Sequence, residues 1–275
     1  MTTLAGTLEI EGNFLGEDKI TAILDGKKVL GTYEEVLEVE GAINAYKEFE
    51  NYKYDSLDDL LKAHKILMKG ILKTAGSFRG VNVGVGSKDG VNHVAPPFGV
   101  VPDLMRDLFE WLKKSDEHIL IKSCVFHYEF EFIHPFSDGN GRIGRLWQSV
   151  ILYHWRKVFS AIPTESIIRD NQERYYDVLE KSGDLGESTP FVEFMLEVIL
   201  HSIKSSVKSS VKSSVNTEDK ILEYLQQNPK TTIKELAQLI NLTTRAIEKQ
   251  IANLKNDNRL IRVGSARKGY WEVKE

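Results

Sequence analysis

The chain has 275 residues, 41% of them hydrophobic, so it can bury a substantial core and divide into two domains. Its net charge of -4 and pI of about 6.0 exclude a basic surface along the whole chain, so any contact with nucleic acid must be local. A single cysteine, Cys124, excludes an internal disulfide, and no apolar run is long enough to span a membrane. The expected location is cytoplasmic, with no membrane partner.

The N-terminal segment, residues 1–31, is predicted to contain a β-hairpin. Asp25 and Gly26 lie between two short β-prone runs in KITAILDGKKVLG, and an Asp-Gly pair in that setting is a strong hairpin signal. The next run is predicted to be a helix, because Thr32 and Glu35 form a capping box at its start. Gly41 is predicted to interrupt this helix.

Residues 76–101 have the composition of a flap. Valines alternate with small polar residues around a turn at Lys88, Asp89 and Gly90, and two prolines end the segment. Amphipathic helices are predicted on both sides of the flap, beginning with one that is capped by Ser56. This pattern predicts a mainly α fold with one β-hairpin.

The stretch IHPFSDGNGRIGRLW, residues 133–147, carries more polar chemistry than a turn between two helices requires. A simple turn accounts for its proline and its glycines. It leaves five polar side chains unexplained: His134, Asp138, Asn140, Arg142 and Arg145. An EF-hand calcium loop is excluded because Ile143 and Ser149 occupy the positions that need Gly and Glu. A Walker P-loop is excluded because the chain has no GKS or GKT.

An anion-binding cradle is the arrangement that remains. Gly139, Asn140 and Gly141 would let backbone N–H groups converge at the N-terminus of the following helix. The helix dipole also favours negative charge at that place, and a polyphosphate fits such a site.

Four side chains around the cradle supply the other groups that phosphoryl or nucleotidyl transfer requires. Asp138 can hold a magnesium ion at the mouth of the cradle. Arg142 and Arg145 are three residues apart on one helix face and can bind successive phosphates. His134 precedes the cradle at a spacing suited to accepting a proton from an attacking hydroxyl.

The run HPFSDGNGR followed by IGR resembles the Fic motif, HPFx(D/E)GNGRxxR, at every specified position. The flap and the runs RYYDVLEKS and PFVEFMLEVI are similar to further Fic landmarks, so the resemblance covers about residues 32–200. The family implies AMPylation, the transfer of AMP from ATP to a protein hydroxyl. By position it implies His134 as general base and Asp138 as the Mg²⁺ ligand. It also implies that the cradle binds the α- and β-phosphates, and that Arg142 and Arg145 bind the outer phosphates.

The resemblance also bears on the nucleotide and its acceptors. Gly141 favours AMP transfer, because a phosphotransferase branch of the superfamily has lysine there. Tyr175 and Tyr176 resemble the tyrosine pair near the adenine pocket of Fic proteins, and Asn92 and His93 of the flap are assigned to the nucleotide-binding residues. ATP and Mg²⁺ are the implied cofactors, and the implied acceptors are an unidentified target protein and the protein itself.

Many Fic proteins have an inhibitory helix with the pattern (S/T)xxxE(G/N), whose glutamate pairs with the last arginine of the Fic motif. The resemblance assigns this role to Glu40, which precedes Gly41 in VLEVEG, and makes Arg145 its partner. Val36 stands where the pattern has Ser or Thr. We therefore expect autoinhibition by Glu40 with measurable basal activity.

A period-four repeat, IKSSVKSSVKSSVN, marks a domain boundary. Residues 204–216 are predicted to be either a flexible Ser/Lys linker or an extension of the preceding helix. In a helix, one apolar stripe would form from Ile203, Val207, Val211 and Val215.

Residues 217–275 resemble a winged helix-turn-helix domain in the order of their predicted elements. Residues 243–254 are then the recognition helix and residues 262–273 the wing, with Arg267 and Lys268 near its tip. Eleven Lys and Arg stand against eight Asp and Glu in this part, giving it +3 and the remainder -7. DNA is the predicted partner of this domain, and protein docking is the alternative.

The sequence thus predicts a mainly α protein, with a Fic core and β-hairpin flap in residues 32–203 and an α+β winged helix in residues 217–275. The predicted function is ATP-dependent transfer of AMP to a Ser, Thr or Tyr hydroxyl of a protein. Two alternatives stay open: a DNA-binding transcription regulator whose Fic domain senses nucleotide, and a Fic enzyme that removes AMP. Assembly into a homo-oligomer also stays open.

Overall fold

A computed structural model describes residues 2–87, 90–265 and 269–274, with only the backbone described at 2–3, 85–87, 90–93 and 207–216. The chain divides into two compact units, Met1–Ile203 and Lys204–Glu275. The first unit contains the helices α1 (Thr2–Ile10), α2 (Glu17–Leu24), α3 (Tyr33–Lys47), α4 (Leu57–Leu67), α5 (Val101–Lys114), α6 (Ile119–Ile133), α7 (Asn140–Trp155), α8 (Thr164–Asp170) and α9 (Gln172–Leu185). Strands β1 (Gly84–Ser87) and β2 (Gly90–Val94) pair antiparallel and form the flap. The predicted mainly α fold with a hairpin flap is confirmed, and the flap turn at Lys88 and Asp89 lies outside the described residues.

The hairpin predicted for the N-terminal segment is wrong. Residues 17–24 form α2, and the Asp25-Gly26 pair ends that helix instead of joining two strands. Gly26 has a φ of 74°, and the N–H of Lys27 donates to the carbonyl of Ala22 at 2.8 Å. Asp-Gly supplies the left-handed residue that closes a helix C-terminus as readily as it supplies a hairpin turn. Packing of Ile20 into the core selected the helix.

Helix α3 runs unbroken through Gly41, so the predicted interruption there is wrong. The capping box at Thr32 is confirmed, since its side chain accepts from the N–H of Glu35 while the Glu35 carboxylate accepts from the N–H of Thr32. Gly41 is buried against α4, where a Cβ would overlap the carbonyl oxygen of Leu67. Glycine at this position permits close approach of the two helices.

The core of the first unit includes α6 and α7, the two helices that the motif loop connects. Buried apolar residues of α1, α3, α4, α5, α6 and α7 form one cluster, to which Trp147 of α7 contributes a fully buried ring. The Trp147 indole N–H donates to the carbonyl of Tyr54 at 2.9 Å, which satisfies its polar end. The motif loop, residues 134–139, connects α6 to α7 and is therefore held at both ends by core helices.

The second unit has the elements of a winged helix. Helix α10 (Thr189–Gln227) begins in the first unit, includes the whole period-four tract as helical backbone, and contributes only its part from Lys204 onward to the second unit. It is followed by α11 (Ile233–Ile240), α12 (Thr244–Asn256) and the antiparallel strands β3 (Leu260–Val263) and β4 (Tyr270–Val273). The predicted winged helix is confirmed, although Arg267 and Lys268 lie outside the described residues. Among the helices of the described ranges, none combines the length and apolar character needed to cross a membrane.

Candidate active site

The motif loop begins and ends with left-handed residues. His134 caps the C-terminus of α6 with a φ of 49°, and Gly139 precedes α7 with a φ of 81°. The first helical bond of α7 joins the N–H of Ile143 to the carbonyl of Gly139 at 3.1 Å. The N–H groups of residues 140–142 lie before that bond and point out of the helix N-terminus. This end of α7 thus has the backbone geometry that the sequence analysis expected, and anion binding there stays a prediction.

The side chain of Asn140 fixes the shape of the loop. Its Oδ1 accepts from the N–H of Phe136 and its Nδ2 donates to the carbonyl of Phe136, both at 2.9 Å. Asn140 is 2% exposed, and Phe136 is fully buried, so its ring anchors the loop in the core. Any contribution of Asn140 to anion binding therefore comes from its backbone N–H.

Two residues that the sequence analysis did not identify, His64 and Arg79, hold the backbone of the motif loop by hydrogen bonds. His64 of α4 stacks on the Phe136 ring at 3.6 Å, accepts from the N–H of Gly76 at Nδ1, and donates from Nε2 to the carbonyl of Asp138 at 3.0 Å. Burial lowers the pKa of His64 to about 4, so its ring is neutral. Arg79 donates from Nε to the carbonyl of His134 at 2.8 Å and also contacts the carbonyl of Pro96 at the end of the flap. No local motif marks either residue.

The first motif arginine, Arg142, is shared by two carboxylates. Its Nη1 lies 3.1 Å from Oε1 of Glu38, and its Nη2 lies 3.4 Å from Oδ1 of Asp138. The Arg142 side chain is 3% exposed, and its buried Nε has no hydrogen-bond partner in the part of the chain that the structure describes. A buried cation of this kind is suited to binding a phosphate oxygen.

The second motif arginine, Arg145, is paired with Glu11. Its Nη2 lies 2.7 Å from Oε1 of Glu11, and Nε and Nη2 donate to the hydroxyl and the carbonyl of Thr7 at 3.1 and 3.2 Å. The Arg145 side chain is 1% exposed and that of Glu11 is 26% exposed. Helix α1 and the residue after it therefore hold the arginine that the sequence analysis assigned to Glu40.

The assignment of Glu40 as the partner of Arg145 is wrong. Glu40 is exposed on α3, while Glu11 and Thr7 occupy the guanidinium of Arg145. The run TLEIEG, from Thr7 to Gly12, fits the inhibitory pattern in full, with Thr, Glu and Gly at the specified positions. VLEVEG lacks the Ser or Thr, and that mismatch was the available signal that Glu40 was the weaker choice.

The carboxylate of Glu11 also lies over the anion cradle. A Cβ placed on Gly141 would be 2.5 Å from Oε1 of Glu11 and 2.9 Å from Nη1 of Arg145. Burial tends to raise the pKa of Glu11, but attraction and hydrogen bonding to Arg145 outweigh it and hold the pKa below the ordinary 4.5. Glu11 is thus an anion at neutral pH, and its carboxylate lies beside Gly141 at the start of α7.

Two further carboxyl groups are buried close to Arg145. Burial raises the pKa of Glu131 to about 8 and that of Glu165 to about 7. Glu165 accepts from the hydroxyls of Tyr46 and Ser149 at 3.1 Å. Glu131 lies 3.8 Å from Nε2 of His127. Attraction to Arg145 lowers both pKa values in part, so the ionisation of Glu131 and Glu165 is coupled to this arginine.

The tyrosine pair divides between the core and the surface. Tyr175 is 1% exposed and its hydroxyl lies 3.1 Å from Nε2 of His127. The prediction that Tyr175 contacts a nucleotide directly is therefore corrected, because its side chain is a core residue. Tyr176 is 46% exposed and can still contact a ligand. The side chains of Asn92 and His93 lie outside the described residues, so their assignment stays a prediction.

Asp138 suits a magnesium ion that is also held by substrate phosphates. Its side chain is 52% exposed, and Oδ1 accepts from the N–H of Gly139 at 2.6 Å. The described residues contain no group of three or more His, Cys, Asp and Glu side chains that would hold a metal ion alone. Mg²⁺ commonly takes one or two carboxylates and completes its shell with phosphates and water, so one exposed aspartate fits it.

The chain is similar to known families and to solved structures. The Fic/DOC family matches residues 54–152, and a winged helix-turn-helix DNA-binding family matches residues 217–260. A solved structure of a Fic family protein from Desulfovibrio desulfuricans G20 aligns with a TM-score of 0.74 and 36% identity, covering 99% of this chain and 85% of that one. Fic-1 from Caenorhabditis elegans aligns with a TM-score of 0.64 and 25% identity over 76% of this chain and 63% of its own.

Curated relatives carry the name protein adenylyltransferase. The Protein adenylyltransferase Fic of Culex quinquefasciatus is 30% identical over 200 residues, which are 68% of this chain and 38% of that relative. A probable protein adenylyltransferase of Aquifex aeolicus is 34% identical over 131 residues, which are 47% of this chain and 38% of its own. The chain thus spans about two fifths of the length of these relatives.

Proposed function

Because the chain belongs to the Fic family, we propose that it is a protein adenylyltransferase that transfers AMP from ATP to a Ser, Thr or Tyr hydroxyl of a protein. The observation that carries the proposal is that the motif loop and the first turns of α7 hold His134, the cradle and the two buried arginines within one short segment. The names of the curated relatives also support it.

In the proposed reaction, an incoming hydroxyl attacks the α-phosphorus of ATP, the bond to the β-phosphate breaks, and pyrophosphate leaves. His134 accepts the hydroxyl proton as general base. The N–H groups at the start of α7 and the two motif arginines stabilise negative charge on the phosphates. Magnesium held by Asp138 would neutralise further phosphate charge. Arg79 and His64 hold the loop backbone that carries these groups.

The proposed resting state is autoinhibited by Glu11. The Glu11 carboxylate lies on Arg145 and over Gly141, so a triphosphate would have to displace it or bind in a shifted position. A shift of about one ångström can cost on the order of a hundredfold in rate. Helix α1 stays part of the core, because Gly6 packs against the backbone of Ser166 and Arg169 pairs with Glu9 at 2.8 Å. Movement of the Glu11 side chain is therefore the simplest route to activation.

The test of the proposed reaction is transfer of labelled AMP. Purified protein is incubated with ATP labelled at the α-phosphate, or separately at the γ-phosphate, with Mg²⁺. Adenylyl transfer leaves only the α-label on protein. His134→Ala should lower the rate by about 10²- to 10⁴-fold while ATP binding is retained, because the imidazole acts on the hydroxyl and not on the nucleotide. Retention of the γ-label, or an unchanged rate in His134→Ala, would contradict the proposal.

Autoinhibition is tested with a matched pair of variants. Glu11→Gly should raise self-labelling strongly, because it frees Arg145 and the cradle. Glu40→Gly should leave the rate at the wild-type level, because Glu40 is exposed on α3. Glu11→Gly combined with His134→Ala should be silent. Equal rates in wild type and Glu11→Gly would mean that the Glu11–Arg145 pair does not limit transfer.

A second function, DNA binding, is favoured by the surface of α12. Arg245 and Lys249 are exposed, one turn apart, on the recognition helix of a unit with net positive charge. Replacing both by Ala should weaken binding of the full chain to duplex DNA and lower its salt dependence. Lys220→Ala, an exposed change on α10, is the control. No duplex binding by wild type at low salt would favour protein docking instead.

A further inference from the structure

Arg142 has a second carboxylate partner that the proposed reaction does not explain. Glu38 of α3 lies 3.1 Å from Nη1 of Arg142, and Asp138 lies 3.4 Å from Nη2. The Glu38 side chain is 19% exposed, whereas that of Asp138 is 52% exposed. The closer and more buried carboxylate is the stronger partner for a buried cation, since water screens it less.

Glu38 is itself held in place by Asn13. The Nδ2 of Asn13 donates to Oε2 of Glu38 at 2.8 Å and to the carbonyl of Glu35 at 3.0 Å. The N–H of Leu15 donates to Oδ1 of Asn13 at 3.1 Å, and Asn13 is 2% exposed. Each carboxylate oxygen of Glu38 therefore has a partner. Its side chain is held between Asn13 on one side and Arg142 on the other.

We infer that Glu38, oriented by Asn13, is a positioning residue that acts as the counter-ion of Arg142 and so keeps Asp138 available to magnesium. The inference rests on the proposed function, because it gives Asp138 its role as a ligand of Mg²⁺ and ATP.

Glu38 and Asp138 compete for a single buried cation, Arg142. The Arg142 guanidinium is 3% exposed, so it needs an anion beside it. Glu38 supplies that anion from a core helix. Without the charge of Glu38, Asp138 is the acidic partner left in hydrogen-bonding range of Arg142 among the described contacts. An aspartate that is paired with arginine binds Mg²⁺ less well, because the two cations compete for the same oxygens.

The experiment compares Glu38→Gln with Glu40→Gln, both in the Glu11→Gly background. Glutamine keeps the size of Glu38 and an oxygen that can accept from Asn13, so the fold should be retained, which thermal unfolding checks. Glu40 lies on the same helix but is exposed, and it controls for loss of one negative charge. Two quantities are measured: the Mg²⁺ concentration that gives half-maximal AMP transfer, and the binding of Mn²⁺ to protein with α,β-methylene ATP, followed by electron paramagnetic resonance.

Glu38→Gln should raise the half-saturating Mg²⁺ concentration by about tenfold and weaken Mn²⁺ binding to match, while excess Mg²⁺ restores most of the transfer rate. A purely structural defect would lower the rate at every Mg²⁺ concentration. An unchanged Mg²⁺ requirement, or an equal rise in Glu40→Gln, would overturn the inference. If the Glu11→Gly parent transfers no AMP at all, the proposed function fails, and the Mn²⁺ measurement still decides the role of Glu38.

Discussion

At the scale of single residues, the electrostatics of the site depend on which carboxylates pair with its two buried arginines. Arg145 is 1% exposed and is paired with Glu11, and Arg142 is 3% exposed and is paired with Glu38 and Asp138. Desolvation makes a buried guanidinium costly unless it is paired, so each arginine recruits a carboxylate when no phosphate is bound. An autoinhibitory contact and a phosphate site can therefore share the same atoms.

The pair Glu11–Arg145 predicts how stability depends on pH. The folded-state pKa of Glu11 lies below 4.5, so its contribution is present above about pH 4.5 and is lost as pH falls through the folded value. Glu11→Gln should cost about 1–2 kcal/mol of unfolding free energy at pH 7, less than a fully buried pair, since Glu11 is 26% exposed. Urea unfolding of both proteins measures this. A difference that stays the same at pH 7 and pH 3 would contradict the assignment.

At the scale of elements, close packing of α3 on α4 holds both Glu38 and His64 at the site. Gly41 is the point of closest approach, because a Cβ there would overlap the carbonyl oxygen of Leu67. A backbone carbonyl cannot rotate away as a side chain can, so the helices must separate to admit a methyl group.

Gly41→Ala should therefore lower the unfolding free energy by about 1–3 kcal/mol and also lower transfer in the Glu11→Gly background. Gly183→Ala on α9 is the matched control, because nothing lies within 4 Å of a Cβ there. That change should raise stability by up to about 1 kcal/mol, since alanine is the better helix former. Thermal unfolding monitored by circular dichroism compares the two, and a loss of stability in both would show that packing at Gly41 is not special.

At the scale of the whole molecule, the first unit buries two carboxyl groups, those of Glu131 and Glu165, close to the guanidinium of Arg145. Glu131 and Glu165 have pKa values of about 8 and about 7 because burial disfavours their charged forms. Between pH 4.5 and these values, the folded chain binds protons that the unfolded chain releases. Stability is therefore expected to fall as pH rises through this window.

Glu165→Gln tests this expectation, because glutamine is neutral at every pH and can still accept from Tyr46 and Ser149. The decline of unfolding free energy between about pH 5 and pH 8 should be shallower in Glu165→Gln than in wild type. Denaturant unfolding across that range provides the measurement. Parallel curves for the two proteins would show that Glu165 is ionised in the fold.

The sequence by itself determined the mainly α class, the flap and the winged helix, because each depends on residues close together in the chain. The Fic motif is such a case, since His134 and Arg145 belong to one loop and the helix that follows it. Only the tertiary structure decided which glutamate meets Arg145, which tyrosine is buried, and that Asp25-Gly26 ends a helix. These outcomes depend on packing between distant segments, as when α1 brings Glu11 to a helix more than a hundred residues away. Local periodicity carries no information about such contacts.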